Sequence, residues 1–217
     1  MRRPRLLTTA AAGVTAALLL TGCGGGGGGS KSNDKIPGAD AGGSASASPS
    51  ASASTSADRP KIVFPSGAKN VFEDQKTGDV TKDAVLADSA LSVNSMDDAI
   101  FKGSASTKAL GFYHTGKALE AAITYVQGYL DKRYTWIGTT RYFDRKVTLS
   151  RADAAYVTYC SDESKSFLKD RKTGKVQNTP TSADSYVLYH TSLAKNAEGV
   201  WQTTNIVSNR GDKACQP

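Results

Sequence analysis

The chain has 217 residues, 27 Lys and Arg against 20 Asp and Glu, a net charge of +7, and 8% aromatic residues. Part of the positive balance comes from Arg2, Arg3 and Arg5 at the N-terminus. From residue 60 onward, 21 basic residues against 17 acidic ones leave +4. That mild excess, without a basic–aromatic motif, argues against a nucleic-acid partner, and the length from residue 60 onward suits one domain with a real core.

Met1-Arg2-Arg3-Pro4-Arg5 is a positive start, and Leu6 to Leu20 follows without a charge. An apolar run of about 15 residues falls short of the roughly 20 that a spanning helix needs and has the layout of a cleaved export signal. It ends in Leu20-Thr21-Gly22-Cys23: an aliphatic residue, two small ones, then a cysteine. This order resembles the lipobox of bacterial lipoproteins. The resemblance implies diacylglyceryl transfer to the Cys23 thiol, cleavage between Gly22 and Cys23, and a protein lipid-anchored on the extracytoplasmic face of the cell membrane. Two acyl chains on one residue make a stable anchor, whereas one is marginal. An ordinary cleaved signal with a chance cysteine is the alternative. Arg2-Arg3 also raises twin-arginine export, although Pro4-Arg5-Leu6 fits the rest of that signal poorly and the general secretory route is the default.

Six glycines follow Cys23, and Gly42 to Ala57 is almost wholly Ser, Ala and Gly. Such a tract has no apolar surface to offset the entropy of ordering. The division is therefore a signal peptide over 1–22, a lipidated cysteine with a disordered tether over 23–59, and one α+β domain over 60–217. A flexible chain the length of this tether has an end-to-end distance of roughly 33 Å. With Cys23 taken by lipid, Cys160 and Cys215 remain. In an exported chain the pair reads as a disulfide, which stabilises by roughly 4 kcal/mol in the chain-entropy model. A two-ligand metal site is the competing reading, but there is no CxxC and there are only two histidines.

Within the domain, Lys61-Ile62-Val63-Phe64-Pro65 reads as a short extended piece, and Lys76-Thr77-Gly78-Asp79 as a turn. From Thr81, residues Val85, Leu86, Ala90, Val93 and Ile100 recur near helical spacing. Ser92, Asn94 and Ser95 weaken the middle, so a second short helix starting near Asn94 or Ser95 and ending at Gly103 is expected. Residues 103–108 read as a polar loop. The clearest helix is capped by Thr115 and carries Leu119, Ala122, Ile123, Val126 and Leu130 on one face. Tyr134 to Gly138 turns toward extended chain. Strands are then predicted over Tyr142 to Leu149, Ala154 to Cys160, Tyr186 to Leu193 and Val200 to Ser208, with a small hairpin over Lys172-Thr173-Gly174. Helices first and an antiparallel meander second predict an α+β fold with N-terminal helices packed on one face of a curved, cone-like sheet.

That order, with the helix through Leu119 to Leu130 and the strand opened by Gly199-Val200-Trp201, resembles the nuclear transport factor two-like family, also called cystatin-like cones. The Ser/Ala tether with two late cysteines also resembles small actinobacterial lipoproteins. The cone resemblance implies a pocket between helices and sheet, and for the family's enzymes an Asp or His as general base. The candidates for such a pair are His190 on a strand with Asp144 or Tyr142. The alternative puts His190 on the exposed strand face and His114 at the surface or in a cap. Asp97-Asp98 and Asp162-Glu163 read as solvated pairs, so no metal site and no cofactor are expected. Arg210-Gly211-Asp212 reads as a turn. Two basic groups, Lys132-Arg133, Arg141, Arg145-Lys146 and Arg151 around the start of the sheet and Lys169, Arg171, Lys172 and Lys175 around the small hairpin, suit anionic lipid headgroups or wall polymers. Asp131, Asp144, Asp153 and Asp170 lie among them, however, and interspersed solubility charge is the preferred reading. The function expected is a non-catalytic envelope module that binds a protein, a cell-wall polymer or a small apolar ligand; a pocket enzyme of isomerase or dehydratase type using His190 and a carboxylate is the alternative.

Overall fold

The computed structural model describes residues 58–217. The expected signal, the lipobox-like stretch with Gly22 and Cys23, and nearly all of the expected tether lie outside the described residues. The described body runs β1 (Ala68–Phe72), α1 (Val80–Lys102), α2 (Lys108–Tyr113), α3 (Gly116–Asp131), β2 (Tyr134–Arg151), β3 (Ala154–Asp170), β4 (Val176–Gln177), β5 (Tyr186–Lys195) and β6 (Trp201–Arg210). It is an α+β fold. The strands form one sheet in the order β1-β2-β3-β5-β6, with β4 added to β3. All pairings are antiparallel except β1 with β2. No helix among the described residues is long and apolar enough to cross a membrane.

α1 is one continuous helix of 23 residues where two were expected. Asp79 caps its start, its carboxylate accepting from the backbone N–H of Thr81 and Lys82, and Gly103 at φ 72° ends it in the left-handed conformation glycine favours. The polar residues that interrupt its apolar pattern do not break it, because each finds a partner. Ser95 Oγ donates to Ser92 O, and Asn94 Oδ1 accepts from Asn70. Three aspartates on the same helix bind the N-terminal segment. Asp88 pairs with Arg59, Asp98 accepts from Val63 N–H at 3.1 Å, and Asp97 accepts from Asn70 at 2.7 Å. This docking explains why residues 61–65 are not a strand while 68–72 are: Ala68 to Phe72 continue along α1 and pair in parallel with Gly138 to Tyr142.

β2 and β3 are long strands of 18 and 17 residues that bend at shifts in register. At Gly138 (φ 98°) a Cβ would lie 2.1 Å from the backbone O of Lys165, so only glycine permits this crossing of the two strands. A second shift, between Phe143 and Lys146, holds Asp144 at φ 50°, a conformation aspartate tolerates better than most residues.

The core divides in two. Val85, Leu86 and Val93 of α1 pack on Tyr142, Val157, Tyr159, Leu193 and Trp201. Ala99 and Ile100 of the same helix pack with Leu110, Ala122, Val126 and Trp136. On the opposite face of the sheet, Cys160 and Cys215 form a disulfide that closes a separation of 55 residues and ties the C-terminal segment over β3.

Candidate functional site

Where the two clusters part, a cavity of about 270 Å³ opens between the helices and the sheet. α1 supplies Val93, Met96 and Asp97, and α3 supplies Ala121, Ala122 and Tyr125. The sheet supplies Tyr142, Tyr159, Val187, Tyr189 and Ile206, with Glu163 and Arg210 as its charged groups. The volume lies near the lower end of small-molecule pockets, and the lining has their usual make-up of apolar wall with a few polar groups.

The tyrosines follow from strand alternation, which puts residues two apart on one face. Tyr142, Tyr159 and Tyr189 stand side by side on β2, β3 and β5: Tyr159 pairs directly with Tyr189, and Tyr142, opposite Ser161, lies diagonal to Tyr159. Phe72 stacks on Tyr142 at 4.7 Å between centroids, Tyr142 meets Tyr159 edge-on at 6.0 Å, and Tyr159 stacks on Tyr189 at 4.9 Å. Such ring pairs add about 0.5–1.5 kcal/mol each beyond their buried area. The row ends at Arg145, whose guanidinium lies 5.2 Å from the Phe72 ring. Burial pulls this guanidinium down to about 10. The hydroxyls of Tyr142 and Tyr159 make no hydrogen bond to the described residues, and burial raises both phenols above the ordinary tyrosine value. They are therefore neutral hydrogen-bonding groups across the physiological range.

Asp97 is the one acid of α1 that also lines the cavity. Its Oδ1 accepts from the Trp136 indole N–H at 3.0 Å and its Oδ2 from the Asn70 amide at 2.7 Å. Those two bonds favour the carboxylate, but burial outweighs them, with a smaller push from the Glu163 charge, and the carboxyl is raised to about 7. A carboxyl poised there exchanges a proton near neutral pH. Glu163 is held differently: Arg210 grips it through two contacts, at 2.8 and 3.3 Å. Arg210 also donates to Asp184 O.

A second buried polar group lies between α1 and β6. His114 is 1% exposed, which corrects the surface position expected for it, whereas the capping role holds: it is the C-cap of α2, its backbone N–H donating to Leu110 O. Its Nδ1 lies 3.1 Å from Leu110 O, which can only accept, so Nδ1 carries the proton. Nε2 lies 2.9 Å from Ser92 Oγ and is left to accept from it, and Thr203 Oγ1 donates to the same Ser92 oxygen at 2.9 Å. Burial pushes His114 down to about 4, so it is neutral at pH 7.

The structure does not bring His190 and Asp144 together. His190 is exposed on the face of β5 away from the cavity, with Nδ1 3.3 Å from Thr158 Oγ1. Asp144 sits in the strand irregularity of β2, exposed and bonded to Lys146 at 3.0 Å. Neither lines the cavity. The two acidic pairs expected in solvent divide: Asp97 and Asp98 are buried, and Glu163 lines the cavity. Asp97 was legible in one respect. It falls four residues after Val93 and three before Ile100, an apolar-stripe position that a solvated aspartate does not occupy. Arg210-Gly211-Asp212 is spent internally, Arg210 on Glu163 and Asp212 on the backbone N–H of Ala214. Among the described residues no group of three His, Cys, Asp or Glu side chains could hold a metal ion.

No protein-family model matches the chain, and no curated protein sequence matches it. Solved structures do. A ketosteroid isomerase-like protein from Erwinia carotovora atroseptica matches at 15% identity over 58% of this chain and 93% of its own, with a TM-score of 0.38. A domain of unknown function with a cystatin-like fold from Nostoc punctiforme matches at 18% identity over 57% and 77%, with a TM-score of 0.35. A protein from Catenulispora acidiphila matches at 9% identity over 62% and 96%, with a TM-score of 0.43. At these values the architecture rests on the chain's own elements.

Proposed function

We propose that this chain is a membrane-anchored binding module of the bacterial envelope, tethered through diacylglyceryl on Cys23, whose cavity takes a small, mostly apolar molecule bearing a hydroxyl or carbonyl group. One observation carries the binding reading: a cavity of about 270 Å³ whose apolar wall holds Asp97 and the unbonded hydroxyls of Tyr142 and Tyr159. Apolar contact supplies most of the affinity in such a site, and the few polar groups orient the ligand. The order of charged start, apolar run and Leu20-Thr21-Gly22-Cys23 supports the anchor.

Trp136 donates to Asp97, so its fluorescence reports on the cavity. Titration with a panel of small phenols and cyclic ketones should give a saturable change in emission. Ala122→Phe, which fills the cavity from α3, should abolish it. No saturable response across the panel would sink the reading. For the anchor, Cys23→Ala should move the protein from the detergent phase to the aqueous phase or leave it as precursor; unchanged partitioning would refute lipidation.

A proton-transfer enzyme is the second reading, and Asp97 is what favours it. A buried carboxyl at about 7 beside a ligand cavity is the property a general acid or base needs. The base would then be Asp97 rather than the pair of His190 and Asp144. Turnover of a cyclic ketone with exchange of its α-protons, lost in Asp97→Asn, would select this reading over simple binding.

A further inference from the structure

Two basic segments far apart in the sequence form one surface. The α3–β2 turn holds Lys132 and Arg133, and the end of β3 with the β3–β4 turn holds Lys169, Arg171, Lys172 and Lys175. Tyr134 pairs with Asp170 and Thr135 with Lys169 in the sheet. The backbone N–H of Arg171 donates to Arg133 O at 2.9 Å, and its side chain bonds Tyr134 O and Ile100 O. All six cations therefore gather at one end of the sheet.

Among the described residues none of the six forms an ion pair. By contrast, Arg141, Lys146 and Arg151, at the other basic stretch, are each matched to a carboxylate. The acids nearest the six are Asp131 and Asp170. Asp131 accepts from Gln127, and Asp170 Oδ1 accepts from the backbone N–H groups of Lys172 and Thr173, closing the turn. Beside the cations, Tyr125, Tyr129, Tyr134 and Leu168 with Lys132 line a shallow hollow of about 360 Å³. Cations flanking tyrosine and leucine suit the boundary of a lipid bilayer, where lysine stems lie along apolar surface and tyrosine sits at headgroup level.

We propose that this end of the domain rests on an anionic lipid surface, with Lys132, Arg133, Lys169, Lys172 and Lys175 at the phosphates, Arg171 spent on backbone carbonyls that join the two segments, and the tyrosine–leucine hollow at the headgroup boundary. The proposal rests on the anchoring reading only for the presence of a membrane nearby. Chain length permits the contact. Arg59 docks on Asp88, fourteen residues along α1 from Lys102, which is about 21 Å of helix. The 34 residues between Cys23 and Asp58 reach at most about 120 Å when extended.

The test uses the chain from Gly24 to Pro217, which keeps every described element, both core clusters and the disulfide but lacks the apolar run and the acyl-accepting cysteine. Its binding to phosphatidylcholine vesicles with and without phosphatidylglycerol is measured by sedimentation at low and high salt. Binding should require phosphatidylglycerol and fall with salt. A near-surface charge changes partitioning roughly fivefold, so removing three should weaken binding about a hundredfold. The combined Lys132→Gln, Lys172→Gln and Lys175→Gln variant should show that loss. Lys69→Gln, Lys117→Gln and Lys213→Gln together, of the same net charge, should change binding little. Equal loss in both triple variants, or equal binding to both vesicle types, overturns the proposal. So does retention by soluble poly(glycerol phosphate) without vesicle binding, which would put a wall polymer on this surface. None of these readouts depends on Cys23, so a failure here is separate from a failure of the anchor.

Discussion

Asp97 and His114 are both buried, and burial moves them in opposite directions, to about 7 and about 4. For His114 the folded value lies below the unfolded one of 6.5. Its neutral form stabilises the fold fully above pH 6.5, and that contribution is lost as the pH falls toward 4, because the unfolded chain takes up a proton that the folded one refuses. For Asp97 the folded value lies above the unfolded 3.8. The fold is favoured below 3.8 and loses stability as the pH rises toward 7, because the unfolded chain releases a proton that the folded one keeps. Each proton is worth about 1.36 kcal/mol per pH unit. His114 thus contributes about 3 kcal/mol of change across its window and Asp97 about 4 kcal/mol of the opposite sign. Between pH 4 and 6.5 the two slopes cancel, and the native protein should show nearly flat stability there. Asp97→Asn removes one of them. Its unfolding free energy should then rise by about 1.4 kcal/mol per pH unit from 4 to 6.5. The carboxylates held below their usual range, Asp83, Asp162, Asp170 and Asp212, act mainly at lower pH. Urea unfolding at several pH values, followed by emission of the buried Trp136 and Trp201, measures the slopes directly. Any lost hydrogen bond in the variant displaces the whole curve and leaves its slope alone. If Asp97→Asn shows the flat profile of the native chain, Asp97 is ionised normally in the folded state, and the proton-transfer reading fails with it.

His114→Gln should give the mirror result, with stability falling by about 4 kcal/mol from pH 4 to 7 under the same urea assay. Reduction of Cys160–Cys215 in an otherwise intact chain should cost up to about 4 kcal/mol in the chain-entropy model for a 55-residue separation; an unchanged urea midpoint would show that the unfolded chain is not constrained by the bond. Gly138→Ala should cost more than about 2 kcal/mol, since its Cβ meets backbone rather than a mobile side chain, and thermal unfolding reads this. Arg59→Ala should lower the melting temperature and loosen β6, because Asp88, 2% exposed, keeps only the Trp201 backbone N–H as partner; amide exchange at Trp201 follows the second effect.

Most of the sheet was legible because strand alternation survives in the residues themselves. Ala155, Val157 and Tyr159 alternate inward on β3, and the turn at Asn196 to Gly199 closes β5 onto β6. What escaped reading had physical causes. The first half of β2 is obscured by Gly138, Thr139 and Thr140, yet its pairing with both β1 and β3 holds it extended. α2 spans six residues, too few for helical periodicity to register. The unity of α1 was hidden because serine and asparagine in its middle signal an interruption only when their partners are unknown. Those partners, Asn70 on β1 and His114 after α2, come from elsewhere in the chain.

The same distance in sequence hid the site. Asp97 and Asp98 look alike as a pair, yet successive helix residues point about 100° apart, so the two meet different surroundings. Asp98 turns to Lys102 and Val63 and closes an ion pair at 2.7 Å. Asp97 turns to Trp136, 39 residues away, and to the cavity, where no cation bonds it. The nearest charges to the cavity, Glu163 and Arg210, are bound to each other. Burial raises the Asp97 carboxyl to about 7, because its two hydrogen bonds come without a counter-charge to offset the lost solvation. Asp88, by contrast, keeps Arg59 as its countercharge. Of the three aspartates that bind the N-terminal segment to α1, Asp97 alone is left free to respond to a ligand, because burial supplied it with donors and withheld the cation.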